Sequence, residues 1–397
     1  MMRLSQFFSA LRFSNPEQNA IVVLYPEDAS IKKFVLRDID STTLALYPVC
    51  VHVTPTLIVR WLVRLKRVEW ADMSGGSFLK TLFRQMYAQY ILACIDFVGA
   101  KVVLTNIDNS SFFQYLTRLD SERTYFAIQN GIRTLWCVRD SLPAPPHPFA
   151  KISMTNFFCF GQRDIELFSS NNHKIDHYFP VGSLLGGYFS SVVADEVTKP
   201  QFDLCLVSQW KEHFFEENLE GVPQEKYLRR VSSSVRTLNE FVARLLDEVG
   251  LSLAICTRKN GGKELAFFEK LFKGRATFIQ RDREDFSTYR AIQNSKLAIA
   301  FSSTILAESF GRGQKVLWCN FLNDDFFAMP EAGISYFCGG DYRAFKDRVL
   351  TLVKMPQSEY EKMTNQSARH INNDDPALPA HEAIRVAVIN ALNRATA

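Results

Sequence analysis

The sequence predicts an α/β protein built from two Rossmann-like domains that face each other across a cleft. Strand-like apolar runs alternate with segments of helical periodicity along the chain, which implies right-handed crossovers and parallel sheets. The alternation breaks once, at the polar, proline-containing SSVVADEVTKPQF over 190–202, and then restarts. The strand candidates end in polar residues, and open parallel sheets bind ligands outside those carboxyl ends. The expected division is 1–190, 202–380, and a terminal helix over 381–397 that packs back on the first domain.

In the first half, NAIVVLYPED (19–28) and LALYPVCVHV (44–53) read as strands. TPTLIVRWLVRLKRVEW (54–70) and SFLKTLFRQMYAQYILACIDFVG (77–99) have helical spacing. AKVVLTNIDNS (100–110), RTYFAIQNGIR (123–133) and FFCFGQRDIELF (157–168) each begin as a strand and become polar. DHYFPVGSLLGGYF (176–189) is a short strand with a glycine-rich turn, which either accepts phosphate on its N–H groups or lets the chain cross between domains.

In the second half, strands are expected at 202–210, 251–262 and 276–282, and helices at 227–250, 262–272, 286–295 and 341–354. KLAIAFSSTILAESFGRGQKVLWCNF (296–321) supplies strand, hydroxyl-rich turn, helix, glycine stop and strand.

Composition narrows the function. With 47% apolar and 22% charged residues the chain is globular, and its 397 residues suit two cores better than one. A net charge of +4 does not indicate a nucleic-acid partner. No apolar run is long enough to span a bilayer. The start, MMRLSQFFSALRFSNPEQN, lacks a long apolar core and a cleavage site, so a mature, cytoplasmic protein is the default expectation.

The cysteines, at 50, 94, 137, 159, 205, 256, 319 and 338, form no CxxC pair and read as small core hydrophobes. His173 and His177, four apart, could share a helical face, but no third ligand stands near them. There is no P-loop, no GxGxxG, no GxSxG, and no DxD motif of the metal-holding kind, so neither a divalent ion nor a bound cofactor is expected.

The sharpest signal is Ser302, Ser303 and Thr304 at a strand exit, with Glu308 one turn on. Free N–H groups, hydroxyl donors and the positive end of a helix together suit a phosphate, and Glu308 suits a ribose diol. A helix N-cap with a solvated glutamate explains the same residues.

Asp108 ends VVLTNID, and Gln129, Asn130 and Gly131 end YFAIQNG. A carboxylate there could deprotonate an acceptor hydroxyl or attack an anomeric carbon, with Gln129 and Asn130 bonding a sugar, although an Asp before Asn109–Ser110 is more often a turn or helix cap. LIVRWLVRLKRV (57–68) sets Arg60, Arg64 and Arg67 at helical spacing with Lys66 beside them. That suits either an anionic membrane surface or a helix with one solvated basic face.

The segment YRAIQNSKLAIAFSSTILAESFGRGQKVLWCNF resembles the donor site of GT-B glycosyltransferases, and within them a family of bacterial surface-carbohydrate biosynthesis transferases. VVLTNIDNSSFF, FAIQNGIR, FCFGQRDIELF, FPVGSLLGGYF, FDLCLVSQW and LAICTRKNGGKE follow in that family's order over roughly residues 100–320. The pattern is also similar to retaining β-Kdo transferases, which use CMP-Kdo. The resemblance implies a nucleotide-sugar donor and an acceptor in a surface polysaccharide such as lipopolysaccharide or capsule, or in a lipid-linked glycan at the inner face of the membrane.

It also implies roles for single residues. Ser302, Ser303 and Thr304 would hold the donor phosphate, Glu308 the ribose, and Arg258 a phosphate or sugar carboxylate, while Ser208 and Gln209 line the cleft. A surface arginine and a serine N-cap account for Arg258 and Ser208 as well. A nucleotide-sugar 2-epimerase, a CDP-polyol phosphotransferase and a non-catalytic sugar- or nucleotide-binding module of a larger synthase are the alternatives on the same plan.

Overall fold

The structure is a computed structural model that describes residues 10–24, 29–45, 50–66, 78–135, 152–194, 199–212, 225–258, 262–323 and 325–396. A short parallel ribbon joins β1 (Leu11–Arg12) to β4 (Val51–His52), beside two larger sheets. The amino-terminal sheet holds β2 (Ile21–Leu24), β3 (Thr42–Leu44), β5 (Val102–Thr105), β6 (Thr124–Ile128), β7 (Ser153–Cys159) and β8 (Lys174–Pro180). Its order is β3-β2-β5-β6-β7-β8, all parallel.

The second sheet holds β9 (Phe202–Val207), β10 (Leu253–Thr257), β11 (Ala276–Gln280), β12 (Ser295–Ala300), β13 (Val316–Asn320) and β14 (Tyr336–Cys338). Its order is β11-β10-β9-β12-β13-β14, again all parallel. The α/β class and two Rossmann-like sheets are therefore as the sequence predicts. The strand order reverses between β2 and β5 and between β9 and β12, and the crevice outside the carboxyl ends at such a reversal is where these sheets bind ligands.

Strands covered on both faces need unbroken apolar runs, and Ile21–Leu24, Val102–Leu104 and Leu204–Leu206 are buried throughout. The Glu225–Val249 helix presents Val231, Val235, Leu238, Val242 and Leu246 to the second core at three-to-four spacing. It stops at Gly250, whose φ of +70° is the left-handed end that glycine adopts without strain.

After the Gln357–Ile371 helix the chain returns to the amino-terminal sheet. Asn373 donates its N–H to the Phe160 carbonyl (2.8 Å) and its amide to the Pro180 carbonyl (2.8 Å). The Ala380–Thr396 helix then buries Ile384, Val388 and Ala391 among Ile21, Val23 and Leu104. The return passes so close that a Cβ on Gly182 would lie 2.6 Å from the Asn373 carbonyl oxygen. GSLLGGYF therefore lies where the carboxyl-terminal segment recrosses to the first domain.

Several expectations change. The run over 44–53 is not one strand: β3 ends at Leu44 and β4 belongs to the small ribbon, with 46–49 outside the described residues. Pro48 lies inside that run and has no N–H for a ladder. His173 and His177 share no helical face, because Lys174–Pro180 is a strand; His173 accepts the Ile152 N–H at Nδ1 instead (3.0 Å). Helices over Ser111–Leu119 and Gln357–Ile371 are additions to the sequence reading.

The helix expected over 54–70 is observed as Pro55–Leu65, capped by Thr54, whose hydroxyl accepts the Leu57 N–H. Of the basic residues expected on it, Arg64 turns inward to pair with Asp96 (2.6 and 2.9 Å), while Arg60 and Lys66 are exposed. Arg67, Cys137, the polar exit at 25–28 and part of the 190–202 linker lie outside the described residues.

Candidate active site

At the second reversal point, the exits of β9 and β12 are joined side chain to backbone. Gln209 accepts the Ser302 N–H at 2.9 Å and donates its own amide to the Ser302 carbonyl. This clamp fixes the turn from which the Thr304–Gly311 helix starts. Ser303 occupies the N-cap with extended dihedrals, yet its hydroxyl makes no capping bond. The Ser302 and Ser303 side chains are half-buried at the mouth of that helix, where N–H groups and the positive dipole end favour an anion.

Three cations stand at the neighbouring exits: Lys211 after β9, Arg258 after β10 and Arg281 after β11. Burial, with Arg258 nearby, pushes the Lys211 ammonium down from its ordinary value. Burial first, then Arg283 and Arg258, does the same to the Arg281 guanidinium. An anion among them would relieve that repulsion. The two exits below are braced by Glu264, which the sequence reading passed over: it accepts the Ser208 hydroxyl and the Arg258 N–H (3.0 Å). Ser208 is thus buried in a brace and also accepts the Trp210 N–H (3.1 Å), while Arg258 itself is exposed.

Across the cleft, the exit of β6 meets this turn. Thr304 Oγ1 accepts the Ile132 N–H at 3.1 Å, beside Gly131, where a Cβ would come within 3.0 Å of that oxygen. The loop is held from beneath by Asp108, whose fully buried carboxylate accepts the Arg133 guanidinium and the Asn130 N–H (3.3 Å). Helix capping falls to Ser110, which accepts the Phe113 N–H. Gln129 is buried, donating to the Gly131 carbonyl (2.9 Å) and accepting the Phe160 N–H (3.2 Å). Asn130 is exposed and turned toward Arg133, with 3.1 Å between its Oδ1 and the guanidinium.

Asp164, also absent from the sequence reading, accepts the same Phe160 N–H (3.2 Å). Burial lifts its carboxyl to about 6 against the opposing pull of Arg163 and Arg133. The signal for Arg133 and Asp164 was present as IRT and GQRD, but nothing in one sequence says that they meet.

Glu308 is neither a solvated residue nor an open ribose acceptor in this structure. Its buried carboxylate accepts the Ser183 hydroxyl from the amino-terminal domain and the Tyr289 hydroxyl (2.7 Å). Burial raises its pKa despite those bonds. A further contact crosses the cleft, Arg163 to Glu331 at 3.5 Å, and Phe286 and Tyr289 pack among Phe34, Tyr188 and Phe189. Among the described residues no three His, Cys, Asp or Glu side chains gather as a metal site would.

Two parallel Rossmann-like sheets with a clamped cleft between them and a last helix returning to the first domain define the GT-B fold. Among solved structures the chain superposes on a protein from Listeria monocytogenes described as a UDP-N-acetylglucosamine 2-epimerase, with a TM-score of 0.56 at 15% identity over 95% of this chain and 97% of that one. It superposes likewise on UDP-GlcNAc 2-epimerase from Neisseria meningitidis bound to UDP-GlcNAc (0.54, 10% identity, 94% and 99%). The wall teichoic acid polymerase TagF with CDPG is similar to the same degree (0.54, 11% identity, 95% and 89%). At these identities the likeness is one of fold. No protein-family model and no curated sequence matches the chain.

Proposed function

We propose that the chain is a nucleotide-sugar-dependent transferase whose donor phosphates dock on the Ser302–Thr304 turn. The observation that carries this is the turn itself: two hydroxyls free of capping duty front a helix N-terminus on the sheet whose other strand exits carry Lys211, Arg258 and Arg281. The acceptor is a glycan of a bacterial surface polysaccharide, free or lipid-linked, entering from the β5 and β6 exits. Asn130 meets it there, while Asp108 and Gln129 position the loop. A buried carboxylate engaged by a guanidinium makes a better brace for Arg133 than a base. Glu308 receives the donor ribose once Ser183 withdraws.

A nucleoside diphosphate donor is the first to test, because proteins of this fold are named with UDP, UDP-GlcNAc and CDPG. CMP-Kdo, the donor suggested by sequence resemblance, belongs in the same panel. The second reading, a UDP-GlcNAc 2-epimerase, has equal support from the superpositions. The two separate by product analysis: a transferase consumes its nucleotide sugar only when a glycan acceptor is supplied, whereas an epimerase converts UDP-GlcNAc alone. Binding without turnover under any donor would leave the binding-module reading.

A further inference from the structure

The Pro55–Leu65 helix turns an unexpected face outward. Leu57, Trp61 and Arg64 attach it to the Phe78–Val98 helix: Leu57 is buried, the Trp61 indole donates to the Met86 carbonyl (2.9 Å), and Arg64 pairs with Asp96. These positions, four and then three residues apart, mark one side of the helix. The other side is aliphatic and bare: Ile58, Val59, Leu62 and Val63 are 40%, 60%, 55% and 60% exposed. Phe83, one turn before Met86 on the supporting helix, is 68% exposed.

Among the described residues, 55–66 and 78–95 contain no Asp or Glu, and Asp96, next in the chain, is paired with Arg64 and Arg123. Exposed Lys66 falls at helical spacing below Ile58, Leu62 and Val59, and exposed Arg60 flanks the ridge with its guanidinium 5.7 Å from the Phe97 ring. On the supporting helix and the one after it, Arg84 and Arg118 are both exposed, 5.4 and 5.8 Å from the Tyr115 ring. A protein partner would be expected to seat aromatic anchors in pockets. An exposed aliphatic face flanked by cations is instead what an interfacial helix presents to anionic headgroups. No helix among the described residues is long and apolar enough to cross a membrane, so the contact lies along the surface.

We infer that the Pro55–Leu65 helix docks this protein on an anionic lipid surface, sinking Ile58, Val59, Leu62 and Val63 among the headgroups while Arg60 and Lys66 meet lipid phosphates. The inference is independent of the reaction catalysed. The full chain is sedimented with vesicles of phosphatidylcholine alone and of phosphatidylcholine with one quarter phosphatidylglycerol. Binding is expected to the second, falling with added salt. Arg60→Glu with Lys66→Glu lowers partitioning by about tenfold or more, since each cation near such a surface contributes on the order of a fivefold factor. Leu62→Ser with Val63→Ser abolishes it while circular dichroism and the melting temperature stay unchanged, because both side chains already face solvent.

Failure to bind anionic vesicles overturns the inference, as does equal binding to both vesicle types or binding unaffected by either pair of substitutions. A concentration-dependent dimer abolished by Leu62→Ser with Val63→Ser, without vesicle binding, assigns the face to a second copy of the chain and overturns it equally.

Discussion

The hydroxyl of Thr304 accepts the N–H of Ile132 at 3.1 Å, joining the turn after β12 to the loop after β6 across the cleft. Two polar strand exits, one from each sheet, are thereby joined directly. Thr304→Val keeps the shape and removes the acceptor, leaving a half-buried N–H unpaired. It is expected to cost about 1 kcal/mol in urea unfolding. An unchanged midpoint and slope would show that the two loops are held independently.

Asp108 and Arg133 form a buried ion pair, so removing either partner strands the other's charge or hydrogen-bonding groups. Asp108→Ala and Arg133→Ala are each expected to destabilise by roughly 3–5 kcal/mol, with the double variant costing clearly less than their sum. A double-mutant cycle in urea measures the coupling; additive losses would mean that the pair does not act as a unit.

Asp164 gives a pH signature. Its carboxyl titrates near 6 in the folded chain because burial disfavours the charge, against an ordinary aspartate value of 3.8. The folded state holds this proton more tightly, so the contribution is stabilising and complete below about 4, and is lost as pH rises through about 6. The shift corresponds to about 3 kcal/mol. Stability of Asp164→Asn, followed from pH 4 to 7, should fall less over that window than wild type; parallel curves would place the titration elsewhere.

Glu308 predicts a coupling between ligand and domains. Its carboxylate is engaged by Ser183 and Tyr289, so a ribose can reach it only if Ser183 gives way. Ser183→Ala removes the competitor and should tighten nucleotide binding several-fold, while Tyr289→Phe changes it less. Weaker binding by Ser183→Ala, read by calorimetry, would mean that Ser183 belongs to the nucleotide site.

How much of this was legible in the sequence differs from residue to residue. Continuous apolar runs such as Leu204–Leu206 announce buried parallel strands because both faces are covered, and the Ser302–Thr304 turn stands out because hydroxyls break such a run. The partners of Glu308, Asp108 and Ser208 were not legible, since Ser183, Arg133 and Glu264 come from distant or unremarkable positions and meet only through topology. The Pro55–Leu65 helix was legible in part for a related reason. Its arginine spacing suits either a membrane surface or a solvated basic face, but which face turns inward is decided by Trp61 and by Asp96, thirty-two residues beyond Arg64.

The central claim is that the Ser302–Thr304 turn holds the phosphates of a nucleotide. It is tested most directly by calorimetric titration of UDP, CDP, GDP and CMP into wild type and into Ser302→Ala with Ser303→Ala. Neither hydroxyl braces the fold, so the variant should melt with wild type. Saturable binding of at least one nucleotide to wild type, weakened about tenfold or more in the variant by the loss of two hydrogen bonds, is the predicted result. Equal affinity in both proteins, or no binding of any of the four, would contradict it.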